Sequence, residues 1–464
     1  MRTVAPALLL ATLCASTTAQ DTPPNFVIVF ADDLGYGDLG CYGNEVIRTP
    51  NVDRMAAEGL RFTNFYAQTV CGPSRAALMT GSHPMRVARR HNRMDIHPRL
   101  HPEEITLAEL LKTRGYATGC YGKWDLAGHS QTDYDPELLP LHQGFDEFFG
   151  TPTSNDRVVH LVRGNEIVEH DVDMAELTRR YTDAALDFIR RHRDEPFFVY
   201  IPHTMPHTKL GASADFAGRS ERGLYGDVVE ELDANTGRIL DLIDELGLDE
   251  RTWVVFLSDN GPWWIQRQHG GSAGELRGAK TSAWEGGVRV PCVIRAPGRI
   301  AAGKVTDRVA TSMDLFPTIA RLAGAELPED RVLDGVDVSP LLAGEPARDD
   351  ERTVLHYVHT HLQALRHGRF KLHLPRPVQP PWTPKWSGHI PPADRIAIDT
   401  PLLFDLLDDP GETTDVATKH PEVVAELLAL AEAARADLGD HDRRGAGQRF
   451  FDPEPQRPDV RDDR

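Results

Sequence analysis

Cysteines, long apolar runs and excess positive charge are all scarce in this chain of 464 residues. Five cysteines are too few for a disulfide scaffold, so the fold must depend on its apolar core, although one disulfide among Cys41, Cys120 and Cys292 stays open. No apolar run reaches the roughly 18 to 20 residues that span a bilayer. With 51 Lys and Arg against 70 Asp and Glu, the net charge of −19 argues against a nucleic-acid partner.

The longest apolar run occupies residues 4–15, directly after Arg2. Thr17 and Ala19 follow it and supply the small side chains of a signal-peptide cleavage site. We therefore expect residues 1–20 to be a signal peptide that directs the chain to the periplasm or the medium.

Short apolar runs alternate with helical patterns along most of the chain. The runs that read as buried strands are residues 25–31, 116–121, 197–201 and 253–257. Helices are predicted from Thr49, from Thr106 with Glu109 as a capping box, and near Leu224. This alternation predicts an α/β fold with a large, mainly parallel sheet flanked by helices, whose ligands bind at the carboxyl ends of the strands.

The pattern changes near residue 349, where short strand-like runs replace the alternation. These runs are residues 356–358, 370–374 and 402–406, and a helix is predicted at 423–434. We therefore expect a catalytic domain over 24–349 and a smaller α+β subdomain with a short antiparallel sheet over 350–440. Residues 441–464 are predicted to form a charged, disordered tail.

Oxygen ligands follow two of the predicted strands. Asp32 and Asp33 come after the first strand, and Asp259 and Asn260 come after the fourth. Taken singly, such residues are turn or cap residues about as often as they are metal ligands. Because parallel strand ends meet at one edge, and no His or Cys accompanies them, together they favour calcium or magnesium over zinc.

The segment of residues 71–81 begins as a loop and continues as a helix, with Pro73 in the first turn and Gly81 as its stop. Cys71 therefore lies at a helix N-terminus, where backbone N–H groups stabilise an oxyanion, a sulfate or a phosphate. Without further context, Cys71 would be a small buried apolar residue.

The segment resembles the sulfatase signature, Cys-x-Pro-Ser-Arg followed by Thr-Gly. Further motifs that resemble the family occur in the matching order, at residues 32–37, 115–118, 122–124, 258–261, 276–280, 285–287, 403–405 and 409–412. The resemblance covers most of the chain. It implies an alkaline-phosphatase-like fold and an arylsulfatase-like hydrolase of sulfuric esters, acting on sulfated carbohydrates or aryl sulfates.

The same resemblance implies two cofactors. A formylglycine-generating maturation enzyme would oxidise Cys71 to formylglycine (3-oxoalanine), whose hydrate attacks sulfur with one hydroxyl and expels sulfate by deprotonating the other. One Ca²⁺ ion would be held by the modified residue 71 and by the four oxygen ligands Asp32, Asp33, Asp259 and Asn260.

The resemblance also assigns roles to four charged or titratable residues. Arg75 would hold the formylglycine, while Lys123 and Lys280 would neutralise the charge of the transition state. His207 would bind sulfate or protonate the leaving oxygen, and its Met-Pro-His context fits the family better than that of His203.

One residue departs from the family pattern, since Asp125 follows Gly-Lys-Trp where a histidine is usual. A carboxylate with a pKa near ~3.9 is a weak base at neutral pH. At roughly 4 Å it would repel sulfate by about 1 kcal/mol in water and about 4 kcal/mol at an effective dielectric of 20. Asp125 or His129 would have to replace the imidazole. A phosphoesterase of the same superfamily and a binding protein without turnover are the alternative hypotheses.

Overall fold

A computed structural model describes residues 23–87, 99–156, 158–345, 352–378 and 389–449. The predicted signal peptide and residues 450–464 of the predicted tail lie outside these ranges. Among the described helices, none is both long enough and apolar enough to cross a membrane. The four cysteines within these ranges are free, so the disulfide that the spacing left open is not formed.

The strands in the described ranges are numbered in chain order. They are β1 (Asn25–Ala31), β2 (Leu60–Phe62), β3 (Phe65–Tyr66), β4 (Ala117–Lys123), β5 (Gly128–Ser130), β6 (Asp133–Tyr134), β7 (Glu147–Thr151), β8 (Leu161–Arg163), β9 (Glu166–Glu169), β10 (Phe197–Pro202), β11 (Thr252–Ser258), β12 (Cys292–Arg295), β13 (Lys304–Thr306), β14 (Ala310–Thr311), β15 (Thr353–Val358), β16 (His361–His367), β17 (Phe370–His373) and β18 (Leu402–Asp405).

Ten of these strands form one mixed sheet in the order β13-β2-β12-β11-β1-β10-β4-β7-β8-β9. Its centre, from β11 to β7, is parallel, and antiparallel strands flank that centre on both sides. The four predicted strands are the adjacent strands β11, β1, β10 and β4. The prediction of a large sheet flanked by helices is confirmed, and its parallel part is the part that carries the predicted site.

The helices are α1 (Pro50–Glu58), α2 (Cys71–Thr80), α3 (Pro84–Val87), α4 (Leu107–Lys112), α5 (Leu177–Arg191), α6 (Leu224–Glu245), α7 (Glu285–Val288), α8 (Leu315–Ala323), α9 (Ser339–Leu342) and α10 (Pro421–Leu438). Side chains of β1 alternate between the two faces of the sheet. Phe26 and Ile28 belong to the apolar cluster that includes residues of α2, α4 and α8, whereas Val27 and Val29 belong to the one that includes residues of α1, α5 and α6. Helices therefore cover both faces, as the right-handed crossover rule requires.

Two local signals act as predicted. The Thr106 hydroxyl accepts the backbone N–H of Glu109 at 3.2 Å, and the Glu109 carboxylate accepts that of Thr106 at 2.7 Å, which starts α4. Helix α2 ends at Gly81, which has φ of 64° and donates its N–H to Ala77. The helix begins at Cys71 itself, so no loop residue separates the cysteine from the first turn.

The C-terminal domain is an antiparallel sheet, β15-β16-β17-β18, with α10 packed against it. The four-stranded sheet confirms the predicted short antiparallel sheet and its three predicted strands. Strand β16 is absent from the sequence prediction. Of the predicted tail, residues 441–449 contact both domains. The Arg449 guanidinium pairs with Glu104 at 3.0 Å, and the backbone N–H of Ala446 donates to Ala436 of α10.

Candidate active site

The predicted site residues meet at the carboxyl ends of the parallel strands. Lys123 is the last residue of β4, and the other residues from the sheet follow β1, β4, β10 or β11. Cys71 and Arg75 come from the first turns of α2, and Lys280 comes from the loop before α7. Every one of them is at most 3% exposed: Asp32, Asp33, Cys71, Arg75, Lys123, Asp125, His207, Asp259, Asn260 and Lys280. The sheet therefore brings together residues that lie up to 248 positions apart in the chain.

Three carboxylates form the centre of this cluster. One oxygen each of Asp32, Asp33 and Asp259 lies within 4.8 Å of the others. The backbone N–H of Asp33 donates to Asp259 at 3.0 Å, and the Asn260 amide donates to Asp33 at 2.7 Å. Because three like charges are buried together, the cluster requires cations nearby.

The donor set fits a hard cation. Asp32 Oδ1 and Asn260 Oδ1 are buried and have no hydrogen-bond partner within the described ranges. Buried acceptor oxygens normally receive a hydrogen bond or ligate a metal. Cys71 Sγ and a ring nitrogen of His207 also lie within 4.8 Å of an Asp32 oxygen. The four carboxylate and amide residues nevertheless supply the hard oxygen ligands that calcium prefers, so the residues present fit that ion.

Three basic side chains accompany the carboxylates. Lys123 Nζ lies 2.6 Å from Asp32, and Lys280 Nζ lies 2.7 Å from Asp33. Burial alone would raise the pKa of Asp32, but Lys123 and the other cations around it hold that pKa well below its usual range. Burial together with the charge of Asp32 raises the pKa of Asp259.

Arg75 joins the two carboxylates that come from different strands. Its guanidinium lies 3.3 Å from Asp32 and 3.2 Å from Asp259, and it also donates to the Lys123 carbonyl at 2.6 Å. These contacts fix the ends of β1, β4 and β11 relative to α2. That Arg75 holds a formylglycine stays a prediction.

Cys71 is the first residue of α2, and its Sγ lies 3.6 Å from Lys280 Nζ. Ser74, in the same turn, donates to the Asp259 carbonyl and accepts the backbone N–H of Gln68. Burial, and then the charge of Asp32, raise the pKa of the Cys71 thiol well above its usual range. The unmodified side chain is therefore a protonated thiol, a poor nucleophile.

Asp125 lies beside Lys123 at the end of β4. Its Oδ2 is 3.8 Å from Lys123 Nζ, and its backbone N–H donates to the Pro152 carbonyl at 3.1 Å. With φ of 55°, the backbone turns sharply here and buries the carboxylate. The side chain of His129, the other proposed base, lies outside the described residues.

His207 faces the carboxylate cluster from the loop after β10. Its Nε2 lies 3.8 Å from Asp33 and 3.7 Å from Asp156, and Asn155 donates to its carbonyl at 3.1 Å. Burial, and then the charge of Lys280, lower the pKa of His207. His203 lies instead against the Tyr181 ring, at 6.3 Å between centroids.

For three residues next to this cluster, the sequence predicts no catalytic or metal-binding role. Asp156 faces His207, and Trp263 packs on His207 and is hydrogen-bonded to His389. Trp263 follows Asn260 by three positions, which was a usable signal. His389 lies 126 residues beyond Trp263, and its place depends on how the C-terminal domain packs.

Comparison with known proteins places both parts of the chain in one family. Residues 24–325 match the Sulfatase family model, and residues 349–453 match the C-terminal region of aryl-sulfatase. The steryl-sulfatase of Mus musculus is 37% identical over an alignment of 530 residues. That alignment covers 93% of this chain and 85% of that protein. Arylsulfatase A of Homo sapiens is 39% identical over 473 residues, covering 92% of this chain and 90% of that protein.

A solved sulfatase structure connected with glycosaminoglycan metabolism in Bacteroides thetaiotaomicron has a similar fold. The TM-score is 0.77 at 29% identity, and the match covers 89% of this chain and 100% of the other. The predicted resemblance and the alkaline-phosphatase-like fold are thereby confirmed. The chain belongs to the sulfatase family and is a sulfuric ester hydrolase.

Proposed function

We propose that this sulfatase cleaves sulfate esters of carbohydrates or aryl alcohols by means of a formylglycine made from Cys71, with one calcium ion. The observation that carries the proposal is the place of Cys71. It starts α2, it is buried, and Lys280 and the carboxylate cluster surround it. A thiol with a raised pKa has no evident use there, whereas an oxidised, hydrated side chain does.

Calcium would be held by Asp32, Asp33, Asp259, Asn260 and the modified residue 71. When bound, it polarises a sulfate oxygen and orients the ligand. The unpartnered oxygens of Asp32 and Asn260 support this assignment. Because Lys123 and Lys280 already pair with two of the carboxylates, the site can accept a monoanionic sulfate ester as well as the cation.

The hydrated formylglycine supplies both a nucleophilic hydroxyl and a second hydroxyl whose deprotonation lets sulfate leave without attack of water on sulfur. The chain would contribute the base for that deprotonation. Asp125 is the described side chain we assign to it, because it is buried beside Lys123 at the end of β4. The Lys123 ammonium is the positive charge beside this carboxylate.

Lys123, Lys280 and His207 would bind the sulfate group. The two ammonium groups are buried, so their charges act on the ester at low dielectric. The lowered pKa of His207 leaves a neutral imidazole with one N–H, which fits donation of a hydrogen bond to the ester's leaving oxygen. Arg75 would act at a distance, by holding the carboxylates and the start of α2 in place.

The substrate class and the compartment are part of the same proposal. The relatives are named for steryl sulfates, aryl sulfates and N-acetylgalactosamine 6-sulfate, and the structural neighbour is connected with glycosaminoglycans. The apolar run at residues 4–15 supports export to the periplasm or the medium. A formylglycine-generating enzyme would have to act on the chain before or during export.

The mass of the Cys71 peptide from the secreted protein tests the nucleophile. In a host able to form formylglycine, we expect the peptide to lose its sulfur and carry an aldehyde. Protein with the aldehyde and bound calcium should hydrolyse an aryl sulfate far faster than an aryl phosphate, and Cys71→Ala should hydrolyse neither. An unmodified thiol with no metal and no turnover would overturn the proposal and favour the binding-protein hypothesis.

A further inference from the structure

The indole ring of Trp263 lies against two of the groups assigned to sulfate binding. Its centroid is 5.0 Å from that of the His207 imidazole, with 31° between the planes. Lys280 Nζ lies 4.6 Å from the same indole centroid, within the range of a cation–π interaction. One aromatic ring therefore contacts both the imidazole and the ammonium.

The C-terminal domain holds this ring from the other side. Trp263 donates its indole N–H to Nδ1 of His389 at 3.0 Å, and the planes of the two rings differ by 28°. This bond requires an unprotonated Nδ1. Burial, followed by the charges of Lys280 and Arg395, lowers the pKa of His389 and favours that neutral form.

The backbone next to Trp263 is also fixed. The Lys280 backbone N–H donates to the Pro262 carbonyl at 3.0 Å, and the Gly261 N–H donates to Gly287 at 3.1 Å. Trp263 thus extends from a segment tied to the same loop that carries Lys280. The ring has little freedom to move away from its two partners.

His207 needs such support because hydrogen bonds do not orient its ring. Nδ1 of His207 is buried and has no hydrogen-bond partner in the described part of the chain. Nε2 lies 3.7 and 3.8 Å from two carboxylates, which is beyond hydrogen-bond distance. Packing against the indole is the contact that sets the plane of the imidazole.

We propose that Trp263 is a positioning residue, whose indole orients His207 and Lys280 for hydrolysis of the sulfate ester. His389 extends this role to the C-terminal domain, because its ring nitrogen anchors the indole. The inference rests on the proposed function, in which His207 and Lys280 bind the sulfate group. Trp263 itself does not touch the reacting atoms.

The test uses the calcium-loaded enzyme with formylglycine at position 71. Trp263→Ala should lower kcat for an aryl sulfate roughly 100-fold, since misplacing a catalytic group by about 1 Å costs that much. KM should rise by about tenfold at most, less than the fall in kcat. Trp263→Phe, which keeps a ring but loses the N–H that bonds His389, should recover only part of kcat. Trp264→Ala is the matched control, because the neighbouring ring is exposed and lies near Arg395 instead.

The anchor is tested by two substitutions of His389. Gln keeps a hydrogen-bond acceptor and Phe keeps only a ring, so His389→Gln should retain kcat and His389→Phe should lower it. Equal activity of Trp263→Ala and wild type, at equal unfolding temperature, would overturn the proposal. So would a loss of kcat that Trp264→Ala shares.

The affinity for inorganic sulfate tests the role of Trp263 independently of the proposed function, because this measurement does not require turnover. In the Cys71→Ala background, which cannot form the aldehyde, Trp263→Ala should weaken sulfate affinity measured by calorimetry about tenfold. If the wild-type enzyme hydrolyses no sulfate ester, the proposed function fails, while this affinity still tests the indole. Unchanged affinity in the variant would count against the positioning role, whatever the activity.

Discussion

Asp125 occupies the place of an imidazole in the family pattern, and its role is testable at the residue scale. Its carboxylate lies 3.8 Å from Lys123 Nζ, and Asp125→Asn removes a base and a negative charge at once. We expect kcat to fall roughly 100-fold, a usual loss for a general base, whereas KM falls because the repulsion of sulfate is relieved. Steady-state kinetics with an aryl sulfate measure both constants.

Asp125→His is the companion variant, since it restores the imidazole that the family pattern contains. It should recover activity relative to Asp125→Asn. Full activity of Asp125→Asn would show that Asp125 is not the base, and would shift that role to another residue.

His203 gives a pH-dependent prediction of stability. It is fully buried, neither ring nitrogen has a hydrogen-bond partner within the described ranges, and burial lowers its pKa to about 3. The unfolded chain therefore takes up a proton near pH ~6.5 that the folded chain refuses. Stability contributed by the neutral ring is present above that pH and is lost as the pH falls toward 3.

His203→Leu abolishes this proton uptake. The free energy of unfolding of the variant, relative to wild type, should rise by about 2 kcal/mol between about pH 7.5 and about pH 5. Urea denaturation at both pH values measures the difference. Ile201→Val, a core variant without a titratable group, should show a difference that does not depend on pH, and a flat profile for His203→Leu would contradict the prediction.

At the scale of elements, the sequence predicts what local chemistry determines. Strands β1, β4, β10 and β11 are buried on both faces and read as apolar runs, and the capping box at Thr106 needs only four neighbouring residues. Strand β16 escapes prediction because its turn from β15 consists of His359 and Thr360, without the Gly or Asn that marks a tight hairpin. His359 adopts φ of 55° there all the same.

In the site too, the sequence predicts the features that depend on local chemistry and misses those that depend on contacts between distant segments. Residues that directly follow strands, such as Asp32 and Asp259, are predictable because parallel strand ends share an edge. The contact of Trp263 with His389 joins two domains, and no periodicity or motif encodes it. The mixed edges of the sheet are also missed, since strands of two to four residues carry too little pattern.

Gly122 of β4 lies beside Pro202, the last residue of β10. It has φ of 145°, and a Cβ at this position would collide with the carbonyl oxygen of Pro202, which cannot move without breaking the sheet. Gly122→Ala should therefore lower the free energy of unfolding by roughly 1 to 3 kcal/mol more than Gly115→Ala. Gly115 is the matched control, with φ of 76° and open space around it.

The same substitution should also lower activity, because Lys123 follows Gly122 directly and would be displaced. Denaturation and aryl sulfate turnover test the two effects. Equal stability of the two glycine variants would show that the strands can separate without cost.

At the scale of the whole molecule, a buried charge cluster connects the two domains. Lys371 of β17 lies 2.8 Å from Glu285 of α7 and 3.2 Å from Glu412. Glu412 also accepts the backbone N–H of Glu285, and His373 lies 2.6 Å from it. Burial raises the pKa of Glu412 to about 7. Burial would also raise the pKa of Glu285, but Lys371, Arg289 and Arg366 together lower it to about 2.

Lys371 is therefore the charge that compensates a buried glutamate at the junction between the domains. Lys371→Met leaves Glu285 ionised without its closest cation, and breaking a buried pair in this way costs roughly 3 to 5 kcal/mol. We expect urea denaturation to show that loss, together with separation of one unfolding transition into two, because the domains lose their shared contact. Lys112→Met is the control, since its pair with Asp146 is about half exposed and should contribute less than about 1 kcal/mol. If both variants lost the same small free energy of unfolding, the cluster would not be needed to hold the C-terminal domain in place. The bond between Trp263 and His389 would then have to form without that support.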